Sequence, residues 1–504
     1  MTYITQPRLF PLHILSFDLS REEKMINAAQ FSINSGCASG TSVKKKLSVA
    51  KFGGSLIDTG GKGIIKILNC IGELRTKDGV GPIVVFSAPL GCTDELIRIG
   101  EAAAQSIVSS AKPIFQVYRH IAKLHIKAEY LEKALKEIAD FEKQTQNVLR
   151  SLNKRFEGHL KAKVLTHGGE LATATLMRHI LNSNGFDACN ISVRDWPIVT
   201  DDTFEDALPN FELSKKRLYA LTQPLEEEKI ISLAGFLGVT SDGLETILGR
   251  GGSDLTAVFA SCLLKNKYET ETVLYKDVPI QSADPKVVRG QKTSYVKALT
   301  YNEAHKASMM GMKIVQSPAI ALARRFNQPL LVVPIDDPNA YSTIQNETTG
   351  GEVVKCLTGK TGCAILSMND EKSRSLDDML RIWERRNDFL DLGAETLETG
   401  ESIRDFLFLD SAFLRRKEEK LKGFDENLRV EYDLGVVTLI GDRMRNSPGV
   451  ASTAISAITG FNIKRAIFAP HTSQIIIVVE DKNVNPTVAA IHLKMAEMNN
   501  LTQT

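Results

Sequence analysis

Short apolar, β-branched runs recur along the chain, each closed by turn residues: LSVAKF (47–52), PIVVFSA (82–88), AKVLTH (162–167), KIISLAGF (229–236), ETVLY (271–275) and PLLVVPI (329–335). Stretches of helical period lie between them, among them GKGIIKILNCIGELRTK and TAVFASCLLKN. Strands alternating with helices predict an α/β fold, a mostly parallel sheet sandwiched by helices. Ligands of such sheets bind at the carboxyl ends of the strands. The loops after these runs are therefore where chemistry is to be sought.

Two regions break the pattern. Residues 101–160 are rich in Ala, Lys, Glu and Leu, with helical spacing in HIKAEYLEKALKEIADFEKQ and Pro113 interrupting the first part. They predict a helical insertion in a catalytic domain spanning 47–340. After the turn-rich NETTGGEVVK, the order becomes strand–helix–strand in GCAILSMND, LDDMLRIWERRNDFLDL and IRDFLFLD. It returns in VVTLIGD, GVASTAISAITGF, NIKRAIFA and QIIIVVED, with a last helix from Thr487. This predicts two small α+β modules, a divergent one at 350–430 and a clearer one at 431–504. Residues 1–46 read as a flexible leader or a targeting segment. SINSGCASGTSVKKK is small, polar and then basic, but Asp18, Glu22 and Glu23 count against an acid-poor transit peptide.

Composition narrows the function classes. Sixty-two Lys+Arg against 60 Asp+Glu give a net charge of +2, which offers no electrostatic case for nucleic acid or an anionic membrane. The seven cysteines are scattered, with no C-x-x-C pair. That argues against a zinc ribbon and a disulfide framework and suits a reducing compartment. The expected location is cytoplasmic, or a plastid if the leader is a transit peptide. No membrane span is expected, since no run of about 18 apolar residues occurs.

The candidate chemistry lies on glycine-rich loops. In LSVAKFGGSLID, Lys51 precedes Gly53, Gly54 and Ser55, whereas a Walker loop places its lysine after the glycines. In GRGGSDLTA a turn leads into an apolar helix, and helix-start N–H groups with Arg250 make an anion site. Ser253 can donate there. Asp254 adds negative charge beside it, which makes sense if the carboxylate holds a lysine, with Lys51 the natural candidate. Either loop alone is more often only a tight turn. Two of them, each after a strand and each with a cation, favour phosphate. Other loops offer Ser87 and Thr93 in FSAPLGCTDEL, Glu170 in THGGELATATL, Asp277 and Lys286 in YKDVPIQSADPK, and Lys313 in MMGMKIVQSPA. Their bland readings are a strand end, a helix cap, a dipole partner and solvated charges.

The order of these motifs closely resembles the aspartokinases of the amino-acid kinase superfamily, from about residue 47 to the end. The C-terminal pair resembles tandem ACT modules. The resemblance implies an amino-acid kinase fold followed by two ACT-like (βαββαβ) modules. It implies Mg·ATP-dependent phosphorylation of the L-aspartate β-carboxylate to 4-phospho-L-aspartate, the first step toward lysine, threonine and methionine. By the same resemblance, Lys51 bridges phosphate oxygens in the transition state, Asp254 orients it, and Gly53, Gly54 and Ser55 cradle the γ-phosphate. Arg250 pairs with a substrate carboxylate and Glu170 meets the ammonium, in a pocket shaped by Ser87, Thr93, Phe236 and Ser253. Asp277, Lys286 and Lys313 lie on the nucleotide side. No protein-held metal is implied, Mg²⁺ sitting mainly on the ATP phosphates with water. An effector amino acid, lysine first and threonine second, and a homodimer or higher homo-oligomer through the ACT modules are implied as well.

The chain departs from the family's pattern at four places. It has Lys276-Asp277 where Thr-Asp is usual. Gln281 stands at the apparent tyrosine position, with an expected glycine missing. HGGE carries an extra glycine, and NDEKSRSLDD replaces the loop of the first ACT-like unit. Two alternatives stay open: a superfamily kinase for another acceptor, and an amino-acid sensor with a weakened nucleotide site, motivated by Lys276 and Gln281.

Overall fold

The computed structural model describes residues 44–58, 60–78, 80–348, 350–373, 375–376, 389–468 and 473–500. The leader, but for its last three residues, and most of the amphipathic stretch before residue 389 lie outside them. The first strands are β1 (Lys46–Phe52), β2 (Ile83–Phe86), β3 (Ala188–Cys189), β4 (Ile230–Ala234), β5 (Leu237–Val239), β6 (Glu245–Ile247) and β7 (Glu269–Lys276). They are followed by β8 (Ala298–Thr300), β9 (Leu330–Pro334) and β10 (Ser342–Gln345). Eight of them form one sheet in the order β3-β4-β2-β1-β7-β9-β10-β8, and β5 and β6 pair as a separate antiparallel ribbon. Neighbours in the large sheet run parallel, except β9 and β10. From β1 the chain steps outward to β2 and β4 on one side, then returns to place β7 on the other. The order thus reverses between β1 and β7, where open α/β sheets bind ligands.

The alternation of β1 explains which groups face the reversal. Leu47 and Val49 share one core cluster with Leu255, Val258 and Phe259 of the helix Gly252–Leu264. Ala50 and Phe52 join Ile64, Ile67 and Ile71 of the helix Ile64–Asp78 on the opposite face. Lys51 is on the same face as Leu47 and Val49, and so projects toward the start of the helix Gly252–Leu264.

The region 101–160 is helical, as expected: Cys92–Ala104, Lys112–His125, Ala128–Ser151 and Gly158–Gly168. Pro113 does not interrupt a helix but opens one, in its first turn, where its missing N–H has no partner to lose. One expectation is overturned. AKVLTH (162–167) is not a strand but lies inside the helix Gly158–Gly168. All of it except Lys163 is buried, its Thr166 and His167 included, and so short a run does not betray its period. The two-residue β3 fills the sheet edge instead.

The C-terminal strands are β11 (Cys356–Asn369), β12 (Phe389–Thr396), β13 (Ser402–Phe408), β14 (Arg429–Ile440), β15 (Arg465–Phe468) and β16 (Gln474–Glu480). They make one antiparallel sheet, ordered β12-β13-β11-β14-β16-β15. The long central strands serve both modules. Leu357, at the start of β11, packs with Val437, Leu439 and the helices Val450–Ser456 and Val484–Leu493. Ala364 and Leu366, in its second half, pack with the helix Ser411–Phe424 and with Val430 and Tyr432 of β14.

A buried polar seam joins this sheet to the catalytic domain. Lys355 Nζ is 2.8 Å from Glu303 Oε2, with side chains 6% and 0% exposed. Glu303 closes a capping box on Thr300 at the helix Tyr301–Met309, and its other oxygen accepts the Asp442 N–H at 2.7 Å. Thr300 donates to Asp442 Oδ2 at 2.7 Å. Met310, just past that helix, packs with Cys363, Ile365, Leu434 and Val436. No helix among the described residues is long and apolar enough to cross a membrane.

Candidate active site

Strand register brings the loop residues together. Phe52 pairs with Phe86 on one side and Tyr275 on the other, and Phe86 pairs with Ala234. The loops after β1, β2, β4 and β7 therefore open at one level. The first of them is tightly set: a Cβ on Gly54 would lie 2.3 Å from the Ala88 carbonyl oxygen, so only glycine lets the two loops touch. The Leu90 N–H donates to the Gly54 carbonyl at 3.1 Å.

Lys51 sits at the centre. Its Nζ is 2.9 Å from Asp254 Oδ1, the two side chains 8% and 5% exposed. A second lysine reaches the same carboxylate, Lys276 Nζ lying 3.1 Å from Oδ2. Burial works against the Asp254 anion, but Lys276 and Lys51 outweigh it and hold its pKa down at about 2. Burial lowers the pKa of Lys51, and Asp254 opposes that. Asp254 is thus one anion held between two cations, and Glu170 is a further carboxylate close enough to act on Lys51.

Glu170 begins the helix Glu170–Ser183 and is buried. Its Oε1 accepts the Ala88 N–H at 3.3 Å. Its Oε2 is buried and has no hydrogen-bond partner among the described residues. Burial pushes its pKa up to about 7, only partly offset by the N–H donors and Lys51. The preceding turn is pinned by the Tyr118 hydroxyl, 2.9 Å from the Gly168 carbonyl and 3.0 Å from that of Gly169. A buried carboxylate with an unmet oxygen is costly unless a cation comes to it.

Phe236 follows β4 with φ +67°, an unusual conformation for a bulky residue. It is clamped there: its N–H donates to Thr256 Oγ1 at 3.1 Å and its carbonyl accepts the Leu248 N–H at 2.9 Å. Ser253, in the first turn of the same helix as Thr256, is buried. Gly251 takes φ +71°, and a Cβ there would fall 1.6 Å from Gln316 Cγ. The turn before Asp254 is thereby seated on the segment just beyond Lys313.

The remaining candidates lie further out. Ser87 and Thr93 are half-buried, and Ser55, Arg250, Asp277, Lys286 and Lys313 are exposed. Lys286 lies between Ala283 and Val288, which are buried in the core of the second module, so it sits at the border with the C-terminal half. Gln281 is tied locally, its Oε1 accepting from Thr293 at 2.9 Å. Lys276 was visible in the sequence only as a departure from a usual threonine; its contact with Asp254 depends on β7 lying beside β1. Gln316 and Tyr118 left no signal, since they act on glycine turns from distant parts of the chain, Tyr118 from inside the helix Lys112–His125.

The model of the amino acid kinase family matches residues 46–334, more than half of the chain. The chain belongs to the amino acid kinase family. This kinase is 24% identical over 471 residues to the lysine-sensitive aspartokinase 3 of Escherichia coli (strain K12), covering 90% of this chain and 100% of that one. It is 25% identical over 459 residues to an aspartokinase of Chlamydia pneumoniae, covering 88% and 96%. Among solved structures it is similar to E. coli aspartokinase III in complex with aspartate and ADP, with a TM-score of 0.73, 20% identity, and 90% and 100% of the two chains covered. The shared architecture includes the C-terminal antiparallel modules.

Proposed function

We propose that this amino acid kinase is an aspartate kinase, transferring the γ-phosphoryl group of ATP to the β-carboxylate of L-aspartate. The observation that carries the proposal is the Lys51–Asp254 pair at the β1/β7 reversal, with the buried, half-satisfied carboxylate of Glu170 nearby. An aspartate oxygen attacks the γ-phosphorus, the bond to the β–γ bridging oxygen breaks, and that electron pair leaves on ADP. No proton has to move. The protein's work is to align two anions and to neutralise charge.

Lys51 neutralises the phosphoryl oxygens, and Asp254 aims it. Glu170 takes the substrate ammonium on its unmet Oε2, and the exposed Arg250 takes the α-carboxylate as a planar fork suits. Gly53, Gly54 and Ser55 line the γ-phosphate, Ser87, Thr93, Phe236 and Ser253 shape the acceptor pocket, and Asp277, Lys286 and Lys313 face the nucleotide. The donor set fits a Mg²⁺ carried by the phosphates, because both Asp254 oxygens are engaged by lysines. The two C-terminal modules bind an effector amino acid, lysine first, and join copies of the chain. The lysine-sensitive E. coli relative supports the effector, and the seam at Glu303 supplies its route to the catalytic domain.

The test traps the acyl phosphate with hydroxylamine, with Mg·ATP and L-aspartate, then with lysine or threonine added. Hydroxamate formed with aspartate is the expected result, suppressed by lysine. Product only with another acceptor, or none with any, overturns the proposal.

A further inference from the structure

Lys276 has no assigned part in the reading above, yet it is built into the site. It ends β7, the strand beside β1, and its Nζ lies 3.1 Å from Asp254 Oδ2 and 3.4 Å from Oδ1. Its side chain is 24% exposed, against 8% for Lys51, so it stands on the open side of the same carboxylate. A lone Asp254 would repel an arriving phosphate. One lysine cancels that charge, and a second leaves a net positive charge for the phosphate to meet. An ammonium carries three donors, and no hydrogen bond of the Lys276 Nζ to any group other than Asp254 is seen among the described residues.

We propose that Lys276 is a second phosphate-binding cation of this site, gripping the nucleotide's phosphate chain from the β7 side while its bond to Asp254 keeps that carboxylate in place for Lys51. The proposal rests on the ATP-dependent reading given above. It adds a point of attachment that threonine, the residue usual at this place, has no charge to supply. The arrangement also separates two tasks. Lys51, more deeply buried, serves the transferring group. Lys276, nearer solvent, serves capture of the polyanion.

The test compares the wild-type full chain with Lys276→Met, Lys276→Thr and Lys276→Arg. Calorimetry measures Mg·ATP and Mg·ADP affinity at several salt concentrations, and steady-state assays give kcat and KM for both substrates. Loss of one charged hydrogen bond predicts about 10- to 100-fold weaker Mg·ATP binding in the Met and Thr variants. The dependence of affinity on salt should become shallower, the KM for aspartate should stay within about twofold, and Arg should restore most of the affinity. Unchanged unfolding midpoints would show that the fold is intact. Mg·ATP affinity within twofold of wild type in both Met and Thr variants would overturn the proposal. So would an equal loss for aspartate, which would mean that Lys276 acts only through Asp254. A wild-type chain that binds no Mg·ATP would overturn the underlying functional reading instead, and the proposal with it.

Discussion

Lys355→Met tests how the catalytic and C-terminal halves are joined. Lys355 Nζ donates to Glu303 Oε2 at 2.8 Å and to Thr348 Oγ1 at 3.0 Å. Removing it leaves a carboxylate with no exposure that has lost its 2.8 Å ion-pair partner, although Lys306 still acts on it electrostatically. Breaking a buried pair from one side costs about 3–5 kcal/mol, because the remaining charge is stranded. Here the Thr300 and Asp442 N–H groups go on donating to Glu303 at 2.9 and 2.7 Å. They hold part of the charge, so the lower end applies, about 3 kcal/mol. Glu303→Gln strands Lys355 instead, at about 2 kcal/mol, since the ammonium keeps Thr348. The double variant should be more stable than the sum of the single losses by at least about 1 kcal/mol. Urea unfolding followed by far-UV ellipticity and tryptophan fluorescence measures all four proteins, and coincident transitions license the free energies. A loss below about 1 kcal/mol for Lys355→Met, or strictly additive single losses, would refute the buried-pair account of the seam.

Four further outcomes are expected. Lys51→Met should lower kcat in the hydroxamate assay by about a thousandfold or more while the unfolding midpoint stays near wild type, because Lys276 still faces Asp254. Near-normal turnover would remove Lys51 from the transition state. For Glu170, burial raises the folded pKa from 4.5 to about 7, so its contribution to stability is present below the unfolded value and is lost as pH rises through about 7. At 1.36 kcal/mol per pKa unit that is roughly 3 kcal/mol, so Glu170→Gln should be more stable than wild type at pH 8, with the gap closed by pH 4. A gap independent of pH would contradict this. The same ionisation predicts that kcat/KM for aspartate rises up to about pH 7 and levels above it, and a flat profile from pH 5.5 to 8 would count against Glu170 as the ammonium partner. Gly251→Ala should lower the unfolding midpoint and weaken Mg·ATP binding, since the new Cβ overlaps Gln316 at a left-handed φ of +71°. The expected cost is about 1–3 kcal/mol, measurable by urea unfolding.

Much of the site was legible because the loops that carry it are local. Lys51-Phe52-Gly53-Gly54 and Gly249 to Asp254 each place a charge and a turn within a few residues, and turn chemistry is written in adjacent positions. Where burial, not period, decided the element, legibility failed. Residues 162–167 read as a strand because a six-residue run buried at every position but Lys163 looks alike in either state, and the helical layer claimed it. The two-residue β3 is too short to leave a pattern, and exists because β4 offers it an edge.

By itself the sequence determined the strand–helix alternation, the glycine turns, the identity of the charged groups and the two-module tail. These depend on periodicity and on backbone freedom, which act over a few residues. Only the tertiary structure decided that β7 returns beside β1. That return sets Lys276 on the carboxylate that already holds Lys51, and it seats Gly251 against Gln316. It was also the tertiary structure that decided that β11 and β14 serve both modules and that Glu303 is sealed against Lys355. Such contacts join residues far apart in the chain, and their energies come from shared burial, in which no single segment carries the information about its partner.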